Sequence, residues 1–385
     1  MVDTAIKHPK ALLLALLVLA CFAACTPSYD YRVPEQMDDG WPVAHASDVG
    51  LDEKTLCEMV DRVRDGTYEN VHSILIVKDG KLAFEEYFEG YRWFYDRDRY
   101  RGEKIRFDVD TIHNLASVTK AVTSALVGIA IDRGYIEGVD TPVFDFFPAY
   151  THLRNEIKDQ ITLHHLLTMS SGLQWNEGEY GYDDDRNDLI RLFREPDPVA
   201  YILSRPVIHE PGSTYYYSGG DVNLLGEVIK VATGQRMDAF AEEVLFAPLG
   251  ITRYEWDFIN RDVVHASGNL QLRPRDVAKF GTLYWNDGVW LDGQQIVSSE
   301  WVQTSIQGHI PIPGSGDSYG YQWRLRTYRV GSSTVQGYSK AGWGGQWAMV
   351  FPEQDTVVVF TGGNYASRDP AGEITARYIL AAVRE

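Results

Sequence analysis

Ser117 and Lys120 stand three residues apart in Ser117-Val118-Thr119-Lys120. On a helix two such side chains share a face about one turn apart, where an amine can take a proton from a hydroxyl. The start of a helix also surrounds that hydroxyl with backbone N–H groups that lack intrahelical partners. The combination suits a nucleophile. A capping serine beside a solvated lysine explains the same residues, and chance supplies about one such spacing in a chain of this length, so the pair needs partners. Two further stretches offer them. Pro211–Asn223 (PGSTYYYSGGDVN) sets Tyr215, Tyr216 and Tyr217 before Ser218 and a helix expected from near Val222. A tyrosine beside a lysine ammonium would have its phenolate favoured and could serve as a general base. Ser339–Gln346 (SKAGWGGQ) places Lys340 among glycines ahead of a strand, and glycines let a backbone N–H approach a ligand closely, as an oxyanion site requires. Packed tyrosines and a tight glycine turn are the plainer alternatives.

The elements that must hold these residues follow from periodicity. Val118, Val122, Ala125, Leu126, Ile129 and Ala130 recur at helical spacing, so Thr111–Tyr135 reads as a buried or half-buried helix beginning near Ser117. Leu51–Gly66 presents Leu56, Met59, Val60 and Val63 on one face and reads as a helix, while Val71–Phe88 alternates about Asp79-Gly80 and reads as a hairpin. Glu89–Val109 mixes aromatics with arginines; a packed loop is expected, with the entrance to a site as the second possibility. From Ile136 to Ser299 the patterns are mostly helical, with one short helix ending at Ser171-Gly172 and two pieces in Asp188–Ser204 parted by Pro196 and Pro198. Tyr319–Tyr328, Ser333–Tyr338, Gln346–Pro352 and Thr356–Thr361 have strand composition, and Ala371–Arg384 reads as a closing helix. Strands near both ends predict one sheet built from about 51–116 and 300–385, a helical part over about 117–299, and a site where they meet.

Composition narrows the function. A chain of 385 residues, 44% hydrophobic and 12% aromatic, can bury a large core, and a net charge of -18 without a basic cluster disfavours nucleic acid and anionic membranes as partners. Lys7 and Lys10 precede the apolar run Ala11–Ala20, which is too short for a permanent span and reads as an export signal over residues 1–25. Its end, Phe22-Ala23-Ala24-Cys25, resembles the lipobox of bacterial lipoproteins, which implies a lipid anchor on Cys25 and a place on the periplasmic face of a membrane. Ordinary cleavage to a free exported protein is the alternative. Residues 26–50 are polar and proline-bearing and read as a tether and entry strap. Removal of Cys21 with the signal leaves Cys57 as the one unmodified thiol, so neither a disulfide framework nor a cysteine metal site is expected. His164 and His165 point to different sides of a helix, and Asp183–Asp185 lack calcium-loop spacing, so no metal and no cofactor are expected.

Taken together and in this order, Ser117 to Lys120 (S-x-x-K), Tyr217-Ser218-Gly219 (Y-S-x) and Lys340-Ala341-Gly342 (K-x-G) resemble the serine beta-lactamase and penicillin-binding-protein superfamily, in its class C-like esterase and 6-aminohexanoate-dimer hydrolase branch. Leu166–Leu173 (LLTMSSGL), Pro211-Gly212, Arg275–Gly281 (RDVAKFG) and Gly344-Gly345-Gln346 extend the resemblance over about residues 45 to 385. It implies an α/β (α+β) fold, an antiparallel sheet flanked by helices beside a mostly helical domain. It further implies Ser117 as acylated nucleophile, Lys120 as its base, Tyr217 as proton shuttle, and the N–H groups of Ser117 and Trp343 as oxyanion hole, with Lys340, Gly342 and Ser218 completing the substrate site. Two positions depart from true beta-lactamases: Gly219 replaces the amide of Y-x-N, and Ala341 replaces the hydroxyl of K-[ST]-G. Each lost hydrogen bond is worth about 1–3 kcal/mol to a charged or buried partner, so small esters or amides are expected ahead of beta-lactams or D-Ala-D-Ala peptides. A non-catalytic envelope binder of the same fold is the remaining alternative.

Gly316-Asp317-Ser318-Tyr319-Gly320 also fits G-x-S-x-G, the elbow of another hydrolase class. That elbow needs a strand before and a helix after, and here the order is inverted.

Overall fold

The computed structural model describes residues 28–384. The readings on the export signal and on Cys25 lie outside the described residues. Residues 28–50 run along the body as a strap rather than a free tether, with Tyr29 and Trp41 buried. Asp52 caps helix α1 (Glu53–Arg64) by accepting the Thr55 N–H. Strands β1 (Val71–Lys78) and β2 (Lys81–Tyr87) form the expected hairpin, whose turn residues Asp79 and Gly80 both take positive φ.

The stretch expected as a packed loop is instead a second hairpin, β3 (Glu89–Trp93) with β4 (Arg101–Arg106), its strand alternation obscured by charge on the exposed face. The two-residue strand β5 (His113–Asn114) leads through a 3-10 turn, Ala116–Val118, into α2 (Thr119–Asp132). Helix α2 therefore starts two residues after the serine, and it is buried continuously from Thr119 to Ala130.

Five short or medium helices follow: α3 (Leu163–Leu167), α4 (Asp188–Leu192), α5 (Pro198–Ser204), α6 (Gly219–Thr233) and α7 (Met237–Ala241). Helix α3 ends before Ser171-Gly172, and α6 begins at Gly219 rather than near Val222, because Ser218 accepts the Asp221 N–H and caps it there. Small strands β6 (Tyr254–Trp256), β7 (Phe258–Asn260), β8 (Val263–Val264) and β9 (Leu270–Leu272) come next, with β9 lying between β5 and β6. Helices α8 (Pro274–Trp285) and α9 (Ser299–Ser305) precede β10 (Ile310–Pro311), β11 (Ser318–Tyr319), β12 (Arg324–Val330), β13 (Ser333–Gly342), β14 (Gln346–Phe351) and β15 (Thr356–Gly362). The chain closes with helical turns over Ala371–Ile374, Thr375–Ile379 and Leu380–Ala382.

The main sheet has eight antiparallel strands in the order β10-β11-β12-β13-β14-β15-β1-β2. Period-two alternation divides the residues of β1 and β15 between two cores. Leu75, Val77, Val357 and Val359 join the larger core with α2, α6 and α8, while Ile74, Ile76, Val358 and Phe360 face α1 and the C-terminal turns. Helix α8 packs on β1, β14 and β15, so this piece of the stretch expected to be helical belongs to the sheet layer. Among the described residues no helix is long and apolar enough to cross a membrane.

Candidate active site

The turn carrying Ser117 is fixed from three directions. Asn114 Oδ1 accepts the Ala116 N–H at 2.7 Å, and Ala116 is held at a φ of 44°, which side-chain-bearing residues rarely adopt. Thr119 Oγ1 donates to Ala116 O at 2.7 Å and accepts the Leu270 N–H at 3.2 Å, tying the turn to β9. From the sheet side, Gly342 ends β13 against the turn: a Cβ there would stand 2.2 Å from Leu115 O and 3.1 Å from Ser117 N. Only glycine allows that approach.

On this turn Ser117 meets both expected partners. Lys120 Nζ donates to Ser117 Oγ at 2.9 Å and to the Ser267 carbonyl at 2.6 Å, and Ser117 Oγ shares a 2.7 Å hydrogen bond with Tyr217 OH. Lys120 is 1% exposed, and burial pushes its pKa down to about 8 against a smaller upward pull from Glu177. A free amine is thus accessible near neutral pH. Tyr217 differs from the sequence expectation of a phenolate: burial first and Glu177 second drive its pKa upward. It is a phenol that can donate.

Glu177 escaped the sequence reading. It is 4% exposed, lines a cavity together with Ser117 and Lys120, and accepts hydrogen bonds from Trp175 Nε1 at 2.7 Å, Gly219 N at 2.8 Å and Tyr182 OH at 3.1 Å. These bonds join the loop after α3 to the first residue of α6, two positions beyond Tyr217. A Cβ on residue 219 would lie 2.5 Å from Glu177 Oε2, so the carboxylate occupies the space a side chain would need. Gly219 in place of the motif's amide was the available signal.

The other expected site residues separate. Trp343 lines the cavity and donates its Nε1–H to Tyr365 O at 3.1 Å. Ser218 is buried and its hydroxyl is engaged with Asp221 as the α6 cap, outside the cavity wall, because the helix begins earlier than expected. Lys340 is also absent from the cavity wall; its Nζ donates to Tyr319 OH and to Gln322 Oε1, and burial followed by the charge of Lys120 holds its pKa well below the usual range. Ser318 sits in β11 between β10 and β12 with no helix after it, so the elbow geometry is absent.

The cavity holds about 330 Å³ and reaches both Ser117 and Lys120. Its wall is largely apolar or aromatic and includes Leu189, Ile190, Phe193, Trp93, Tyr95 and Tyr182. The β3–β4 hairpin therefore forms part of the entrance: Tyr95 OH donates to Tyr182 O at 2.6 Å, and Tyr100 meets Trp343 edge-on at 4.6 Å. Tyr182 and Trp343 line the cavity, whereas Trp175 is buried beneath Gly220. Among the described residues no group of His, Cys, Asp or Glu side chains is arranged to hold a metal ion.

A family model described as Beta-lactamase matches residues 64–383. This chain belongs to that family. Its members are serine hydrolases that include esterases and amidases. Esterase EstB of Burkholderia gladioli is 33% identical over 161 residues, covering 40% of this chain and 40% of its own. The 6-aminohexanoate-dimer hydrolase of Paenarthrobacter ureafaciens is 25% identical over 273 residues, covering 66% of each. The match thus spans less than two thirds of either relative. Among solved structures, a family VIII carboxylesterase superposes with a TM-score of 0.68 at 17% identity, covering 91% of this chain and 99% of its own, which bears out the mixed fold with its antiparallel sheet.

Proposed function

We propose that this protein is a serine hydrolase that cleaves ester or amide bonds of small substrates through an acyl-enzyme on Ser117. The observation that carries the proposal is the hydrogen-bonded set Lys120–Ser117–Tyr217, whose serine and lysine line an apolar cavity. Ser117 Oγ attacks the substrate carbonyl carbon while its proton passes to the free amine of Lys120. The carbonyl oxygen gains negative charge, and the N–H groups of Ser117 and Trp343 stabilise it, each by about 3 kcal/mol when well aimed. Collapse breaks the bond to the leaving group, which takes a proton from Tyr217; Tyr217 recovers one from the Lys120 ammonium. Water then attacks the acyl carbon, gives up a proton along the same route, and releases Ser117.

The small partner is an ester or amide rather than a beta-lactam, since Gly219 and Ala341 lack the groups that would hold a beta-lactam's side chain and carboxylate. Fluorophosphonate labelling with peptide mapping, run beside short-chain ester and nitrocefin assays, tests both parts. Adduct on Ser117 with ester turnover is expected. Adduct on Ser318 refutes the nucleophile, and efficient nitrocefin turnover with weak ester hydrolysis reverses the substrate ranking. Export with lipidation of Cys25 belongs to the same proposal, and metabolic palmitate labelling of the wild type against Cys25→Ser tests it.

A further inference from the structure

The charges around the cavity are unequal in kind. Lys120 in its reactive form is a free amine and carries none. Arg194 reaches the wall from the rim, where its side chain is 62% exposed and paired with Asp185 at 2.6 Å. Lys340, the cation that the resemblance assigned to substrate binding, is committed to Tyr319 and Gln322 outside the wall. His265 is in the wall, but burial and then Lys120 hold its pKa down to about 3, so it is neutral. Glu177 is left as the one acidic side chain among the cavity-lining residues, and it accepts three hydrogen bonds while donating none.

We propose that Glu177 sets the charge class of the substrate: the cavity takes esters and amides that are neutral or cationic beside the scissile bond and turns away those bearing a carboxylate. The inference rests on the acyl-transfer reading above and names the substrate class of that same site. The physical reason is proximity in a medium that screens poorly. A buried negative charge acts on an approaching carboxylate at an effective dielectric far below that of water, which over several ångströms is worth about ten- to a hundredfold in rate or binding. Its position in the space of the missing 219 side chain places this repulsion next to Tyr217, close to the reacting atoms.

Glu177→Gln separates charge from scaffolding. A glutamine carbonyl can still accept from Trp175 Nε1 and Gly219 N, and its amide can donate to Tyr182 OH, so all three contacts survive without the charge. The probes are three 4-nitrophenyl esters of matched length: pentanoate, hemiglutarate, and 4-(trimethylammonio)butyrate. At pH 8.5 and low salt, wild-type kcat/KM should be lowest for the hemiglutarate, by at least tenfold against the pentanoate. In Glu177→Gln that ratio should approach one, while any advantage of the cationic ester falls; added salt should compress the wild-type differences. An unchanged hemiglutarate-to-pentanoate ratio in the variant overturns the inference. Ser117→Ala and fluorophosphonate labelling run in parallel: ester turnover that survives Ser117→Ala refutes the acyl-enzyme reading itself, whereas Ser117-dependent turnover without charge discrimination refutes only the role of Glu177.

Discussion

Two lysines, near enough for the charge of one to act on the other, are each buried against a tyrosine. Lys120 and Lys340 are 1% and 4% exposed, each has its Nζ 5.0 Å from a tyrosine ring centre, and burial lowers both pKa values. Their surroundings part them. Lys120 reaches Ser117 Oγ and belongs to the cavity wall, while Lys340 spends its donors on Tyr319 and Gln322 away from it. A depressed pKa is therefore an insufficient sign of catalysis. Lys120 is the proposed base because it has both a hydroxyl to deprotonate and an opening through which a substrate can reach that hydroxyl.

The contrast can be broken most forcefully at the nucleophile. Ser117→Ala should lower ester kcat by about 10⁴-fold or more, measured in the steady state against 4-nitrophenyl butyrate, and a loss under tenfold would leave the Lys120 corner without a reaction. Lys120→Met should cost about 10³-fold and Lys340→Met about tenfold; equal losses would place both lysines in the machinery. Tyr217→Phe should cost about 10²-fold with an ethyl ester and under tenfold with a 4-nitrophenyl ester, because nitrophenolate departs without a proton. The smallest effect is in the pH profile. The free base of Lys120 grows as pH rises through about 8, so wild-type kcat/KM should climb with pH and level off above that value. Lys340→Met should keep the limb where it is, and a displaced limb would assign part of it to Lys340.

The sequence made the local pieces legible where one residue type carried one meaning. Asp79-Gly80 marked the first hairpin, and the apolar spacing of Val122, Leu126 and Ile129 marked α2. The order of Ser117, Tyr217 and Lys340 suggested a shared site; Ser117 hydrogen-bonds to Tyr217 and Lys120, and Lys340 lies near enough to Lys120 to feel its charge. What stayed hidden depended on distant contacts. Charge on the exposed face concealed the β3–β4 hairpin, and Ser218 read as a site residue because nothing local showed that its hydroxyl would cap α6. Glu177 lay in a polar loop (GLQWNEGEY), where an acidic residue is ordinarily solvated; only the fold brings Trp175, Tyr182 and Gly219 around it. The charge state of Tyr217 was beyond reach for the same reason, since burial and an unseen carboxylate decide it.

The sheet order has a consequence for how the molecule is made. Strand β1 is synthesised long before β15, yet the two are neighbours in the sheet; the hydroxyls of Ser73 and Thr361, paired at 2.6 Å, are 288 residues apart in sequence. The turn bearing Ser117 likewise leans on β13 and β14. A ribosome that has emitted the serine, the lysine and the tyrosine has yet to supply the strands that hold them in register. Closure of so long a loop comes late and slowly. Until β13, β14 and β15 arrive, Ser117, Lys120 and Tyr217 lack the strands that hold them, and whatever meets the growing chain before then meets an unassembled polypeptide.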